Sequence, residues 1–77
     1  MNRNRLTDQA IANINAANRA ELERVPGGYH IQLSSKKGSV KLTDKICRPV
    51  TYTSKVTAKK ALLRHNQGIN ISLKPEI

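Results

Sequence analysis

The sequence predicts a small two-layer α+β domain in the order α-β-β-(β)-α-β: an antiparallel sheet of three to four strands with two helices packed on one face. Three observations predict it. Several short stretches alternate apolar and polar residues, the period of a strand with one buried face. Two other stretches repeat apolar residues at helical spacing. Every strand-like stretch offers a single apolar face, so the sheet needs cover on one side only.

The first helix is expected from about Asp8 to Arg24. Thr7 suits the N-cap, because its hydroxyl can accept from a free first-turn N–H. Leu6 and Ile11 are placed for a hydrophobic staple, and Asp8 puts a negative charge at the positive end of the helix dipole. Ile11, Ile14, Leu22 and Val25 fall on one side, beside Ala10 and Ala17. Asn13, Asn15 and Asn18 lower the propensity, so this helix depends on packing. Pro26-Gly27-Gly28 is read as its stop.

From Tyr29 to Ser34, Tyr29, Ile31 and Leu33 alternate with His30, Gln32 and Ser34. Ser35-Lys36-Lys37-Gly38 reads as a hairpin turn, with Gly38 free to take positive φ. Ser39 to Lys45 sets Val40 and Leu42 against Lys41 and Thr43. Pro49 to Thr53 is β-branched enough for a third strand, and Pro49 puts it at a strand start or an edge. The second helix is expected from Lys55 to Asn66, capped by Ser54 or Thr53. Ala58, Ala61, Leu62 and His65 form its inner stripe, flanked by Val56 and Leu63, and Gly68 is its stop. Ile69, Ile71 and Leu73 then alternate with Asn70, Ser72 and Lys74 as a last strand.

The 77 residues suffice for one domain with one modest core. Residues 1–5 read as a disordered arm and 75–77 as a frayed tail. With one cysteine, no intrachain disulfide is possible. No apolar run has the length of a signal peptide or a membrane span, so a cytoplasmic protein is expected, monomeric or homodimeric.

Catalytic chemistry finds little to work with. Asp8, Glu21, Glu23, Asp44 and Glu76 are the acids. On the expected helix Glu21 and Glu23, two apart, do not share a face. His30 falls on the polar side of its strand and His65 near the end of the second helix. Cys47 reads as an incidental or buried thiol. One Cys and two scattered His do not make a zinc site, and no Gly-rich loop opens a helix as a phosphate cradle would. The expectation is a non-enzyme without metal or cofactor.

Charge is the dominant feature. Fourteen Lys and Arg stand against five acids, a net +9. Nine of the cations lie between Lys36 and Arg64, with Asp44 the sole acid there. Lys36 and Lys37 sit at the hairpin tip. Lys55, Lys59, Lys60 and Arg64 occupy adjacent rows of the second helix. With Lys41 and Arg48 they form the expected nucleic-acid-binding set. A basic helix face and a basic tip suit the phosphate backbone of duplex DNA or structured RNA. Tyr29 and Tyr52 fall on the core phase of their strands, which leaves no exposed aromatic platform for unpaired bases. The alternative is a phage or mobile-element regulator or inhibitor that binds an acidic surface of a larger protein or nucleoprotein machine. A membrane-surface role is disfavoured, since the basic helix lacks a bulky apolar face.

The run Val50-Thr51-Tyr52-Thr53-Ser54-Lys55-Val56-Thr57-Ala58-Lys59-Lys60-Ala61-Leu62 resembles the last strand and helix of the arm-type DNA-binding domains of phage integrases. Lys55 to Ala61 is also similar to the basic final helix of double-stranded RNA-binding domains. Both resemblances imply duplex binding. The closing strand from Ile69 departs from both patterns, and the leading helix departs from the integrase type.

Overall fold

The computed structural model describes residues 6–74; the expected arm at 1–5 and tail at 75–77 lie outside the described residues. The elements are α1 (Asp8–Ala16), β1 (Arg19–Val25), β2 (Gly28–Ser35), β3 (Gly38–Lys41), α2 (Lys55–His65) and β4 (Asn70–Leu73). The expected α+β class, with two helices and a sheet of three to four strands, is what the chain forms; the sheet has four strands in the order β3-β2-β1-β4, and it is mixed where an antiparallel one was expected.

The first helix is shorter than its apolar spacing suggests. It begins as expected, with the Thr7 hydroxyl accepting from the Ala10 N–H. It ends at Ala16, and Ala17 is already extended. Residues expected in its second half form β1 instead. There Ala20 and Leu22 are buried while Arg19, Glu21 and Glu23 face the other way, the period of a strand. The Asn residues make the helix cheap to end. What captures the rest is the partner strand: Pro26-Gly27 is the two-residue turn of a hairpin in which Val25 pairs with Gly28. Pro26 sits at the first central position and Gly27, at φ +89°, at the second, the chemistry of a type II turn.

β1 and β2 pair antiparallel, as do β2 and β3, whereas β4 runs parallel to β1, making the sheet mixed. Parallel entry needs a long connection. The segment through α2 supplies it, carrying the chain from the β3 edge to the opposite one. Both helices cover the same face. Ile14 from α1 and Ala58 and Leu62 from α2 join Ala20, Leu22, Ile31 and Leu33 of the sheet in one buried cluster. Tyr52 is buried there too, which raises the pKa of its phenol.

Pro49–Thr53 is not a separate strand. After Leu42, whose N–H donates to the Ile31 carbonyl at 2.8 Å, the chain leaves the sheet edge. It rejoins at Tyr52, which exchanges two hydrogen bonds with Tyr29, at 2.7 and 2.9 Å. Between them Thr43 bridges Pro49 in a small hairpin. One Asp44 carboxylate oxygen accepts from the N–H groups of Ile46 (2.9 Å) and Arg48 (3.0 Å) at its tip. The Arg48 amide bond chiefly holds the Asp44 carboxyl below the usual range, aided by the Ile46 amide and the charges of Arg48 and Lys45. Cys47 closes this turn at φ +62°, in the left-handed region. A Cβ there is strained, so Cys47→Gly is expected to raise stability by about 1 kcal/mol. Urea unfolding checks this, with Cys47→Ala as the unchanged control.

The two helices are locked at their C-terminal ends by one side chain. Asn66, which follows α2, donates its amide N–H groups to the carbonyls of Ile14 (2.8 Å) and Ala17 (3.0 Å). It thereby adds a second donor to the Ile14 carbonyl, which also accepts from the Ala17 N–H, and supplies one to the carbonyl of Ala17 at the end of α1. Its Oδ1 accepts from the Gly68 N–H. Asn66→Ala is expected to cost about 2 kcal/mol. Asn66→Asp, which sets a carboxylate against two carbonyls, is expected to cost more. Thermal melts of both variants give the comparison.

Candidate nucleic-acid interface

The two faces of the sheet differ in charge. On the open face, Glu21 and Glu23 stand side by side, because β1 is a strand and residues two apart share a face; the helical reading that separated them is corrected. Glu21 pairs with Arg19 at 3.7 Å, and Glu23 with Lys41 at 3.4 Å and Lys74 at 3.8 Å. His30 lies beside them, its Nε2 3.1 Å from the Thr51 hydroxyl. Lys41, expected in the basic set, therefore belongs to an ion-pair array on the face away from the helices.

α2 carries the opposite arrangement. Ser54 caps it, accepting from the Thr57 N–H. Ala58 and Leu62 point into the core and fix the rotation of the helix. Lys55 and Lys59 then form one exposed row and Lys60 and Arg64 another. None of the four makes an ion pair with a described residue. Between the rows lie Val56 and Leu63, 60% and 40% exposed. Sequence reasoning placed these two at the flanks of the buried stripe; they belong to the centre of the solvent face. The rotation that puts Ala58 and Leu62 inward carries this signal, because positions 56 and 63 then fall opposite.

Lys36 and Lys37 form the β2–β3 turn, with Ser35 pairing to Gly38. The Asn18 N–H bonds to the Ser34 carbonyl, and Asn66 ties the end of α2 to the end of α1. The tip and the Arg64 end of α2 thus share one end of the molecule, while Lys55 lies at the other. α1 adjoins the tip, leaving a groove of about 530 Å³ lined by Ala12, Asn13, Ala16, Leu33, Lys37 and Val40 among others. The sequence hid this groove, because a helix extended to Arg24 leaves no end of α1 for the hairpin to meet. Arg48 stands apart, on the hairpin between Leu42 and Tyr52, next to Asp44.

Cys47 is exposed. Among the described residues no three His, Cys, Asp or Glu side chains gather as a metal site, and no helix is long and apolar enough to cross a membrane. No protein-family model, curated protein or solved structure matches the chain.

Proposed function

We propose that the domain is a non-enzymatic binding module for duplex nucleic acid, DNA or structured RNA, held through the phosphate backbone. The observation that carries this reading is the segregation of charge. Glu21 and Glu23 are engaged with cations on the open face of the sheet. Lys55, Lys59, Lys60 and Arg64 stand on the opposite side of the domain with no acidic partner among the described residues. Like charges one turn apart repel, and a row of phosphates relieves that repulsion while releasing condensed counterions. Lys36 and Lys37 extend the positive surface beyond the Arg64 end. Burial of Tyr52 and partial burial of Tyr29 favour a duplex over stacked single-stranded bases.

Fluorescence anisotropy with labelled duplex DNA, duplex RNA and single-stranded RNA across a salt series tests the reading. The expected result is a duplex preference that survives physiological salt. Four to six phosphate contacts give a log–log salt slope of about −4 to −5 on B-form DNA. Binding indifferent to the polymer and absent at physiological salt overturns it.

One observation favours a second reading. Val56 and Leu63 set an apolar centre between the two basic rows, a pattern suited to an acidic protein surface with an apolar middle. On that reading the domain is a small regulator or inhibitor of a larger machine, and it forms a one-to-one protein complex with little affinity for naked duplex.

A further inference from the structure

We infer that the outer edge of β3, with the groove beside it, accepts an extended segment of a partner protein in which acidic and apolar residues alternate. This inference rests on β3 and α1 and does not depend on the outer face of α2. β3 is an end strand of the sheet. Leu42 bonds inward to Ile31 and Val40 faces Leu33, so alternation turns the N–H and C=O groups of Ser39 and Lys41 outward. β3 holds no proline to blunt this edge. Its single charged side chain, Lys41, is drawn across the open face to Glu23.

The two sides of the edge differ chemically, and that difference specifies the occupant. On the helix side Val40 is 49% exposed above the 530 Å³ groove, whose floor includes Ala16, Ala17 and Leu33. On the open side stands Lys41. Lys36 and Lys37 rise at the tip with no carboxylate partner among the described residues. Side chains of an added strand alternate between these sides. Apolar residues therefore meet Val40 and the groove, and acidic residues meet Lys36 and Lys37 at the tip, Lys41 being held by Glu23. A second copy of the chain fits poorly, because pairing two β3 edges brings the same lysines together, and like charges opposite one another destabilise a sheet. Strand addition takes affinity from main-chain bonds and specificity from alternate side chains, and this edge supplies both.

The test is titration of the ¹⁵N-labelled protein with a blocked peptide of about ten residues alternating Val and Glu, a length that covers the edge. A matched peptide with Lys in place of Glu is the control. The expected result is saturable shifts at the amides of Ser39, Lys41, Ala12 and Ala16, with none from the control. Ser39→Pro removes an outward N–H, leaves the β2–β3 backbone bonds in place at the loss of the exposed Ser34–Ser39 hydroxyl bond, and is expected to weaken binding about tenfold or more, with Ser39→Ala as the control for the hydroxyl. Lys36→Glu with Lys37→Glu, at an exposed turn, is expected to do the same, and decides the matter if the proline variant does not fold. Lys59→Glu with Lys60→Glu is expected to leave peptide affinity within about twofold, since those side chains lie outside the edge. No saturable shifts, shifts centred on α2, equal binding of the control peptide, or full affinity in the folded tip variant each overturn the inference. Concentration-dependent shifts at Ser39 and Lys41 without peptide also overturn it, in favour of self-pairing. Shifts centred on α2 would favour the acidic-protein reading of that helix; the other outcomes leave duplex binding by α2, which anisotropy reads, untouched.

Discussion

Gly28→Ala is expected to remove about 3 to 4 kcal/mol of stability. Gly28 opens β2 at φ +148°, a conformation that L side chains rarely adopt. A Cβ there falls on the carbonyl oxygen of Tyr52, with the carbonyl carbon at 2.9 Å and Thr51 Cγ2 at 3.3 Å. Backbone cannot swing aside as a flexible side chain can. Relief requires moving Tyr52, whose two hydrogen bonds with Tyr29 return the chain to the sheet and whose ring is buried. Strain, lost bonds and lost packing therefore act together. A domain of this length has a total stability of about 4 to 11 kcal/mol, so the variant is expected to melt about 15 to 25 °C lower. Gly27→Ala separates the causes. Gly27 also has positive φ, +89°, but nothing lies within 4 Å of its added Cβ. That variant carries the conformational cost alone, about 1 to 2 kcal/mol. Equal melting temperatures for the two would show that the approach of Tyr52 is not what holds position 28 to glycine.

Lys59→Glu combined with Lys60→Glu is expected to lower duplex affinity about a hundredfold at low salt and to flatten the log–log salt slope by about two. The two residues belong to the two basic rows, so reversing both interrupts the outer face of α2 along its length. Neither side chain touches the core, and each sits where acids relieve the repulsion within its row. Stability is therefore expected to hold within about 0.5 kcal/mol. Circular dichroism and a melt establish the fold before anisotropy is read. Unchanged affinity in the folded variant removes α2 from the interface. If the variant instead loses a stoichiometric protein partner and wild type has no duplex affinity, the regulator reading takes its place.

Much of this architecture was legible because local and global preferences agree. Thr7 and Ser54 cap the helices they were expected to cap, and Lys36-Lys37 turns the expected hairpin. The error at β1 has a definite origin. Ile11, Ile14, Leu22 and Val25 satisfy helical spacing, while Ala20 and Leu22 also satisfy strand spacing. Periodicity alone could not choose between them. Pro26-Gly27 carried the answer, since a proline followed by a glycine that can take positive φ turns a hairpin as readily as it ends a helix. The basic rows of α2 were legible for the same reason that α2 was. Lys41 was not, because its neighbour Glu23 lay on a misassigned element. The groove beside β3 was not, because it forms between elements whose meeting depends on where α1 ends.

The excursion from Leu42 to Tyr52 bears on how the protein can be altered. The edge of β2 is paired on both sides of the detour, by Leu42 before it and Tyr52 after it. The register of the sheet is therefore set without reference to the length of what lies between. Asp44 and Arg48 close the small turn with hydrogen bonds of their own. New sequence grafted between Lys45 and Arg48 gives up the bonds of the Ile46 and Cys47 N–H groups to Asp44, but the entropic expense is modest, since doubling a loop adds only about 0.6 kcal/mol. The chain thus contains a natural display site, on which foreign peptides, epitopes or affinity tags can be presented without disturbing either the helix face or the strand edge.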